Sequence, residues 1–303
     1  MRRRRGIVAG VAILAVVTLV GTACAKKSTS TSVGGTGTGT TGTTGTTGTG
    51  PSGTTGTPIP HFTTLKSGEL QVGSCLDYKP FEFTDPNTGD LVGFDIDMTD
   101  AIAQKLGLKV TWVKTNFNTI FTALSANKFD AVAAASTITA ARQQVVNFTI
   151  PYFPGGQSLT VNTTETPDIQ STDDLKKGDV VGVQRGTTGA DYAQKNLAPK
   201  GVQIKTYVNA PDAFTDLEAG SIQGVLNDEG SSLFEAASRP GLKVVQPIDT
   251  GEFYGFAVSK DNAGLLAAMN QALQAIYADG TYKQIFSKWF PGQPVPDPTT
   301  FGQ

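Results

Sequence analysis

Residues 133–148 read AAASTITAARQQVVNF. A small apolar run ends in Ser136 and Thr137, Thr139 follows, and Arg142 comes three residues later. Thr139 has the type of a helix N-cap, which puts Arg142 in the first turn of a helix near 139–146, beside free backbone N–H groups. Such donors, with the helix dipole, attract anions and disfavour a cation. An arginine there is explained by an anion that joins it, because a guanidinium grips a carboxylate with two parallel bonds. Thr137 would add a hydroxyl and an N–H. The ordinary alternative is a surface arginine after a strand.

A second group lies in LNDEG, residues 226–230. Asn227 and Asp228 end a predicted strand, and Asp228 would serve equally well as a helix cap. If this strand end and Arg142 face one cleft, an acid and a base together match the charged end of a free α-amino acid. Other chemistry is thinly supplied. The single histidine, His61, precedes the first strand, which removes Ser-His-Asp and Cys-His catalysis and histidine zinc sites. Asp95, Asp97 and Asp100 resemble a calcium loop, but Thr99 breaks its spacing. They read as a cap and first-turn acids. GTTG (186–189) is too short for a phosphate loop and lacks its lysine. No catalytic group, metal site or cofactor is expected.

The elements that must position these residues alternate. ELQVGS (69–74), LKVTWV (108–113), FDAVAAA (129–135), DVVGVQ (179–184), VQIKTYV (202–208) and SIQGVLND (221–228) read as strands. Helices are expected at 96–106, capped by Asp95 and closed by Gly107, then at 118–128, from Thr188, near 211–219, 229–238, 261–279 and 281–289. This alternation predicts α/β lobes with mostly parallel sheets. PYFPGG (151–156) and GEFYGF (251–256) carry glycines and aromatics about a hundred residues apart. Read as two crossovers forming a hinge, they divide the chain into lobe 1 (62–152 plus 255–291) and lobe 2 (157–250), with a tail at 292–303. Ligands of open α/β sheets bind outside the carboxyl ends of strands, which here means the cleft.

The N-terminal residues carry a different message. Four arginines (2–5) precede the apolar run IVAGVAILAVVTLV (7–20), short for a bilayer span and suited to a signal-peptide core over 1–23. GTAC then resembles a bacterial lipobox, with Cys24 as the lipidated residue, although Gly21 stands where a larger aliphatic is preferred. Residues 28–58 are almost wholly Gly, Thr and Ser, a composition that cannot bury enough apolar surface to order itself. They make 24–61 a tether, reaching roughly 30 Å as a flexible coil. Cleavage before Cys24 would leave 20 basic against 26 acidic residues, a net charge of −6. A mildly acidic chain without a basic stripe is a poor nucleic-acid binder. With Cys24 lipidated, Cys75 has no disulfide partner.

Several stretches, in order, resemble the bacterial extracellular solute-binding proteins of family 3: YKPFEF (78–83), GDLVGFDIDM (89–98), FDAVAAASTITAARQQVVNFTIPYF (129–153), VVGVQRGTTGADYA (180–193), GVLND (224–228) and DGTYKQIFSKWF (279–290). The resemblance covers nearly everything from Leu65 to Phe290. It implies a two-lobed fold of the periplasmic-binding-protein type II class and capture of a free amino acid for an ABC transporter permease. The protein would be monomeric, extracytoplasmic and held to the cell membrane by its N-terminal lipid. It further implies that Arg142 holds the ligand carboxylate with help from Thr137 and, from lobe 2, Thr188. The Ala135 carbonyl and Asp228 would hold the ammonium, and Tyr78 and Phe117 would sandwich the side chain. Cys75 stands where several relatives carry an acid that reads a basic side chain, so basic ligands are expected to be disfavoured. Gln184 and Asn227 suit an amide or hydroxyl, and the expected ligand is neutral, polar and glutamine-like. The alternatives are an enzyme on the same fold, such as a cyclohexadienyl dehydratase, and a sensing subunit that signals through a partner.

Overall fold

Leu70 and Val72 alternate with more exposed neighbours and are buried, which sets the first strand, β1 (Glu69–Ser74), in the computed structural model. The structure describes residues 58–302, so the expected signal peptide, Cys24 and all but the last four residues of the tether lie outside it. After β1 come β2 (Asp77–Tyr78), β3 (Glu82–Thr84), β4 (Leu91–Val92), α1 (Phe94–Leu106), β5 (Lys109–Lys114), α2 (Phe117–Ser125), β6 (Ala131–Val132), α3 (Ala140–Gln143) and β7 (Val146–Phe148). The first crossover contains β8 (Phe153–Pro154). Next are β9 (Gln157–Asn162), β10 (Val180–Gln184), α4 (Thr188–Asn196), β11 (Gln203–Tyr207), α5 (Ala210–Glu218), β12 (Gly224–Asp228), α6 (Glu229–Ser238) and β13 (Leu242–Ile248). The second crossover contains β14 (Phe253–Tyr254) and leads to β15 (Ala257–Ser259), α7 (Ala263–Ala278) and α8 (Thr281–Trp289).

Two five-stranded sheets result, ordered β5-β1-β6-β15-β7 and β11-β10-β12-β9-β13. They share one plan. Three parallel strands come first, as the strand–helix alternation predicts, followed by antiparallel strands. In each sheet the first antiparallel strand, β15 or β9, is the one that arrives directly from a crossover. The two crossovers pair with each other through β8 and β14, with Phe153 opposite Tyr254.

Local chemistry explains the boundaries. Thr187 caps α4 by accepting from the Ala190 N–H at 3.1 Å, and Asn262 caps α7 through Leu265 N–H at 3.1 Å. Gly107 closes α1 at φ +69°, a conformation that favours glycine. Asp95 does not cap α1: the N-cap is Gly93, and the Asp95 side chain turns into the core. Two expected elements are shorter than expected. The strand at 129–135 keeps a ladder only over Ala131–Val132, because Ala135 leaves extended geometry at φ +41°. The helix near 139–146 is the single turn α3, since Val146–Phe148 pairs with β15 instead.

The crossovers rest on an aromatic core. Phe81, Phe94, Phe153, Tyr254, Phe286 and Phe290 are buried with centroids 4.9–6.2 Å apart, and Tyr152 stacks on Phe256 at 4.2 Å. Each such ring contributes about 1.5–3 kcal/mol by burial. The C-terminal residues fold back onto this region, with Phe301 5.6 Å from Phe253. Among the described residues no helix is long and apolar enough to cross a membrane.

Candidate functional site

The carboxyl ends of β1, β6, β10 and β12 converge on one narrow cavity of about 10 Å³, partly open to solvent. Nine of the ten residues singled out as ligand contacts line it. Cys75 follows β1, Tyr78 ends β2, and Phe117 begins α2. Ala135 and Thr137 follow β6, and Arg142 stands in α3. From the second sheet come Gln184, Thr188 and Asp228. The tenth, Asn227, lies one residue inside the wall and accepts from the Tyr78 hydroxyl at 3.2 Å. Arg185 is exposed and outside the lining.

Arg142 is held differently from the helix-dipole argument. A four-residue turn has almost no dipole, and the guanidinium folds back from it. Its Nη1 donates to the Thr137 carbonyl at 2.8 Å and its Nη2 to the Gly186 carbonyl at 3.2 Å. The guanidinium also lies over Phe117 and Phe121, 5.1 and 5.0 Å from their centroids. Burial lowers its pKa from the ordinary value, and Asp228 and Glu252 act in the opposite direction. The charge is therefore set at the cavity wall with part of its donor set still available.

Asp228 sits at the N-cap position of α6 yet makes no capping bond. Its Oδ2 accepts from the Tyr78 hydroxyl at 2.8 Å, and its Oδ1 accepts from Gln157 Nε2 at 2.7 Å. Burial, then the neighbouring Glu252, raise its pKa to about 6. Thr137 and Thr188, from opposite sheets, each donate to Glu252 Oε2 at 3.2 Å, and Gln157 Nε2 also reaches that oxygen at 3.1 Å. Gly189, in the first turn of α4, makes room for Gln157: a Cβ there would meet Gln157 Oε1 at 2.6 Å. Gln184 is buried and donates to the Val208 carbonyl at 3.1 Å. The Cys75 thiol is buried, and desolvation followed by the nearby Glu82 pushes it well up.

Three polar residues at or behind this wall were not anticipated. Glu252 lies in the second crossover, read from sequence only as a hinge segment, and Gln157 opens β9 just after the first, read only as the start of lobe 2. Glu82 lines the cavity, is 0 % exposed, and neither carboxylate oxygen has a hydrogen-bond partner among the described residues. Burial raises its pKa well above the usual carboxylate range, and Asp95, Asp77 and Asp228 add to the shift. The signal was present in YKPFEF: an acid between two phenylalanines on a strand, opposite Tyr78 in the register. Such a residue is buried, and a buried acid without a partner awaits one. The cavity is thus lined by the Arg142 cation, the threonine hydroxyls and Asp228, with Glu252 behind the threonines, and by Glu82, Tyr78 and Cys75.

Residues 70–292 match the family model of bacterial extracellular solute-binding proteins, family 3. The lysine/arginine/ornithine-binding periplasmic protein of Escherichia coli K12 is 33% identical over 229 residues, covering 73% of this chain and 87% of that protein. An ancestral arginine-binding protein, solved with arginine and with glutamine, superposes with a TM-score of 0.70 at 42% identity, over 74% of this chain and 98% and 99% of the two solved chains. An ancestral amino acid-binding protein described as a precursor of cyclohexadienyl dehydratase superposes with a TM-score of 0.67 at 37% identity, over 74% of this chain and 95% of that chain. With a match over most of its length, this chain belongs to the bacterial extracellular solute-binding proteins of family 3.

Proposed function

We propose that the protein captures a free α-amino acid outside the cytoplasm and hands it to an ABC transporter permease, and that the preferred ligand carries a cationic side chain. Arg142, Thr137 and Thr188 receive the ligand carboxylate; Asp228 and the Ala135 carbonyl receive its ammonium; Tyr78 and Phe117 flank the side chain. The observation that carries the ligand class is Glu82, a buried acid at the cavity wall with no hydrogen-bond partner among the described residues. A buried charge is tolerated when a counter-charge reaches it, and a guanidinium or ammonium does so. The expectation that Cys75 disfavours basic ligands took no account of this second acid. The arginine named for the ancestral neighbour and the lysine, arginine and ornithine named for the E. coli relative point the same way. Glutamine, the ligand expected from Gln184 and Asn227, remains the competing choice, and the same ancestral protein was solved with it.

The lipid at Cys24, the 24–61 tether, hinge closure of the two lobes and a monomeric state belong to this reading. Calorimetric titration with L-arginine, L-lysine and L-glutamine tests the ligand. L-arginine is expected to bind at least about tenfold tighter than L-glutamine. The reverse order would return the reading to an amide ligand.

A second reading is favoured by the same residue. A carboxylic acid whose burial favours the protonated form is suited to general-acid catalysis, and the dehydratase precursor is a structural neighbour. Incubation with a cyclohexadienol carboxylate, followed by absorbance of an aromatic product, tests it. Turnover abolished by Glu82→Gln would establish the enzyme.

A further inference from the structure

Ala135 stands at φ +41°, in the left-handed region where a Cβ crowds the backbone. A non-glycine residue there costs about 1 kcal/mol and persists only where its surroundings impose it. The imposing group is Asp95, forty residues earlier in α1. The Ala135 N–H donates to Asp95 Oδ2 at 2.8 Å, and the Tyr152 hydroxyl lies 2.8 and 2.9 Å from the two Asp95 oxygens. Asp95 and Tyr152 are 0 % exposed, and Asp95 does not itself line the cavity. Tyr152 is in turn fixed by its stack on Phe256.

We propose that Asp95 is a positioning residue, which holds Ala135 in its left-handed conformation and thereby sets the 134–137 segment for ligand. The inference rests on the amino-acid reading of the cavity. Its reach follows from the next residues. Thr137, two positions on, offers its carbonyl to Arg142 and its hydroxyl to Glu252. A change of φ at residue 135 swings Thr137 and so disturbs the seat of Arg142. An acid suits the task because one oxygen takes the Ala135 N–H while both remain within reach of the Tyr152 hydroxyl. An aliphatic side chain would leave that buried N–H unpaired.

The test uses Asp95→Ala and Asp95→Asn, each alone and combined with Ala135→Gly. Glycine adopts positive φ freely, so it removes the need for a holder. Crystal structures of the variants read the backbone at 135; calorimetric titration with L-arginine and L-glutamine reads binding. Asp95→Ala is expected to release Ala135 from the left-handed region and to weaken binding at least about tenfold. Adding Ala135→Gly to Asp95→Ala should bring Kd to within about threefold of that of Ala135→Gly alone, so that the loss caused by Asp95→Ala largely disappears in the glycine background. Asp95→Asn should fall between, and it serves if the alanine variant does not fold. A purely structural Asp95 would lower Tm with no recovery of binding from the glycine. Left-handed Ala135 persisting in Asp95→Ala, or in Asp95→Asn where alanine does not fold, would overturn the inference. So would a binding loss that glycine does not repair. If the parent binds neither probe, the amino-acid reading fails, and the conformation of residue 135 still decides the role of Asp95.

Discussion

The Tyr78 hydroxyl, on the first-sheet side of the cavity, donates to the Asp228 carboxylate, at the end of β12 in the second sheet, at 2.8 Å. One hydrogen bond to a charged acceptor therefore spans the two lobes beside the cavity. Such bonds contribute about 1.5–3 kcal/mol. Tyr78→Phe keeps the ring and deletes only the hydroxyl. It should weaken amino-acid binding by roughly tenfold or more, because the two lobes lose a tie beside the cavity. Calorimetry checks this, and an unchanged Kd would show that the bond contributes nothing to closure.

Arg142→Ala should cost about 3–5 kcal/mol of binding, two to three and a half decades of Kd, because it strands a buried carboxylate. Arg142→Lys should recover only part, lacking the two-pronged contact. The free protein should lose about 1–2 kcal/mol as well, since the guanidinium stacks on two phenylalanines and bonds the Thr137 and Gly186 carbonyls. Titration and denaturant unfolding of both variants separate the two effects. A Kd within about threefold of the parent for the alanine variant would remove Arg142 from the site.

Glu82→Gln should reverse selectivity. Losing the counter-charge should cost L-arginine about 3 kcal/mol, roughly 100-fold, and leave L-glutamine within about threefold. A Gln side chain has nearly the same shape, so stability should move by less than about 1 kcal/mol. Equal losses for both ligands would make Glu82 a packing residue.

The free and the liganded protein should respond to pH in opposite directions. Asp95 and Asp228 have pKa values raised from 3.8 to about 6, both chiefly by burial. Between those values the folded chain binds protons that the unfolded chain does not, so stability falls as pH rises through that window. Lowering pH from 7 toward 5 should therefore stabilise the free protein, on the order of 1–3 kcal/mol. The same proton on Asp228 removes the partner of the ligand ammonium, so affinity should drop about tenfold per pH unit below 6. Thermal unfolding and titration across pH 5–7.5 check the pair of trends. A Tm that falls together with affinity would contradict the buried-acid argument.

What the sequence revealed is clearest at strand ends. Asp228, Gln184 and Thr188 follow strong apolar runs, and parallel α/β geometry sends the residues after such runs to one edge. Thr137 follows β6 in the same way, whereas Arg142 was singled out by a helix-dipole argument that the four-residue α3 does not support. The short α3 was not legible, because Val146 and Phe148 suit a helix face and a strand equally, and only the partner β15, a hundred residues on, decides between them. Gln157 and Glu252 escaped because their importance depends on two distant crossovers lying side by side. Glu82 was visible as an acid flanked by phenylalanines, but its burial depends on α1 and the aromatic core behind it. Asp95 was misread as a cap because local rules see a first-turn acid and not the strained Ala135 beyond it.

The pairing of β8 with β14 has a mechanical consequence. Two separate linkers can bend, slide and twist independently, and a cleft hung on them would close with variable register. Linkers bonded side by side form a ribbon, stiff to shear along its length and compliant mainly to flexing across it. Each strand of that ribbon continues straight into a sheet, β8 toward β9 and β14 toward β15, so the flexing is delivered to the two sheets without slack. If the lobes close on a ligand as proposed, such a ribbon leaves them one soft coordinate. Glu252 stands next to β14 in that ribbon, and its carboxylate accepts from the threonines on either side, so any flexing of the ribbon would bear on both.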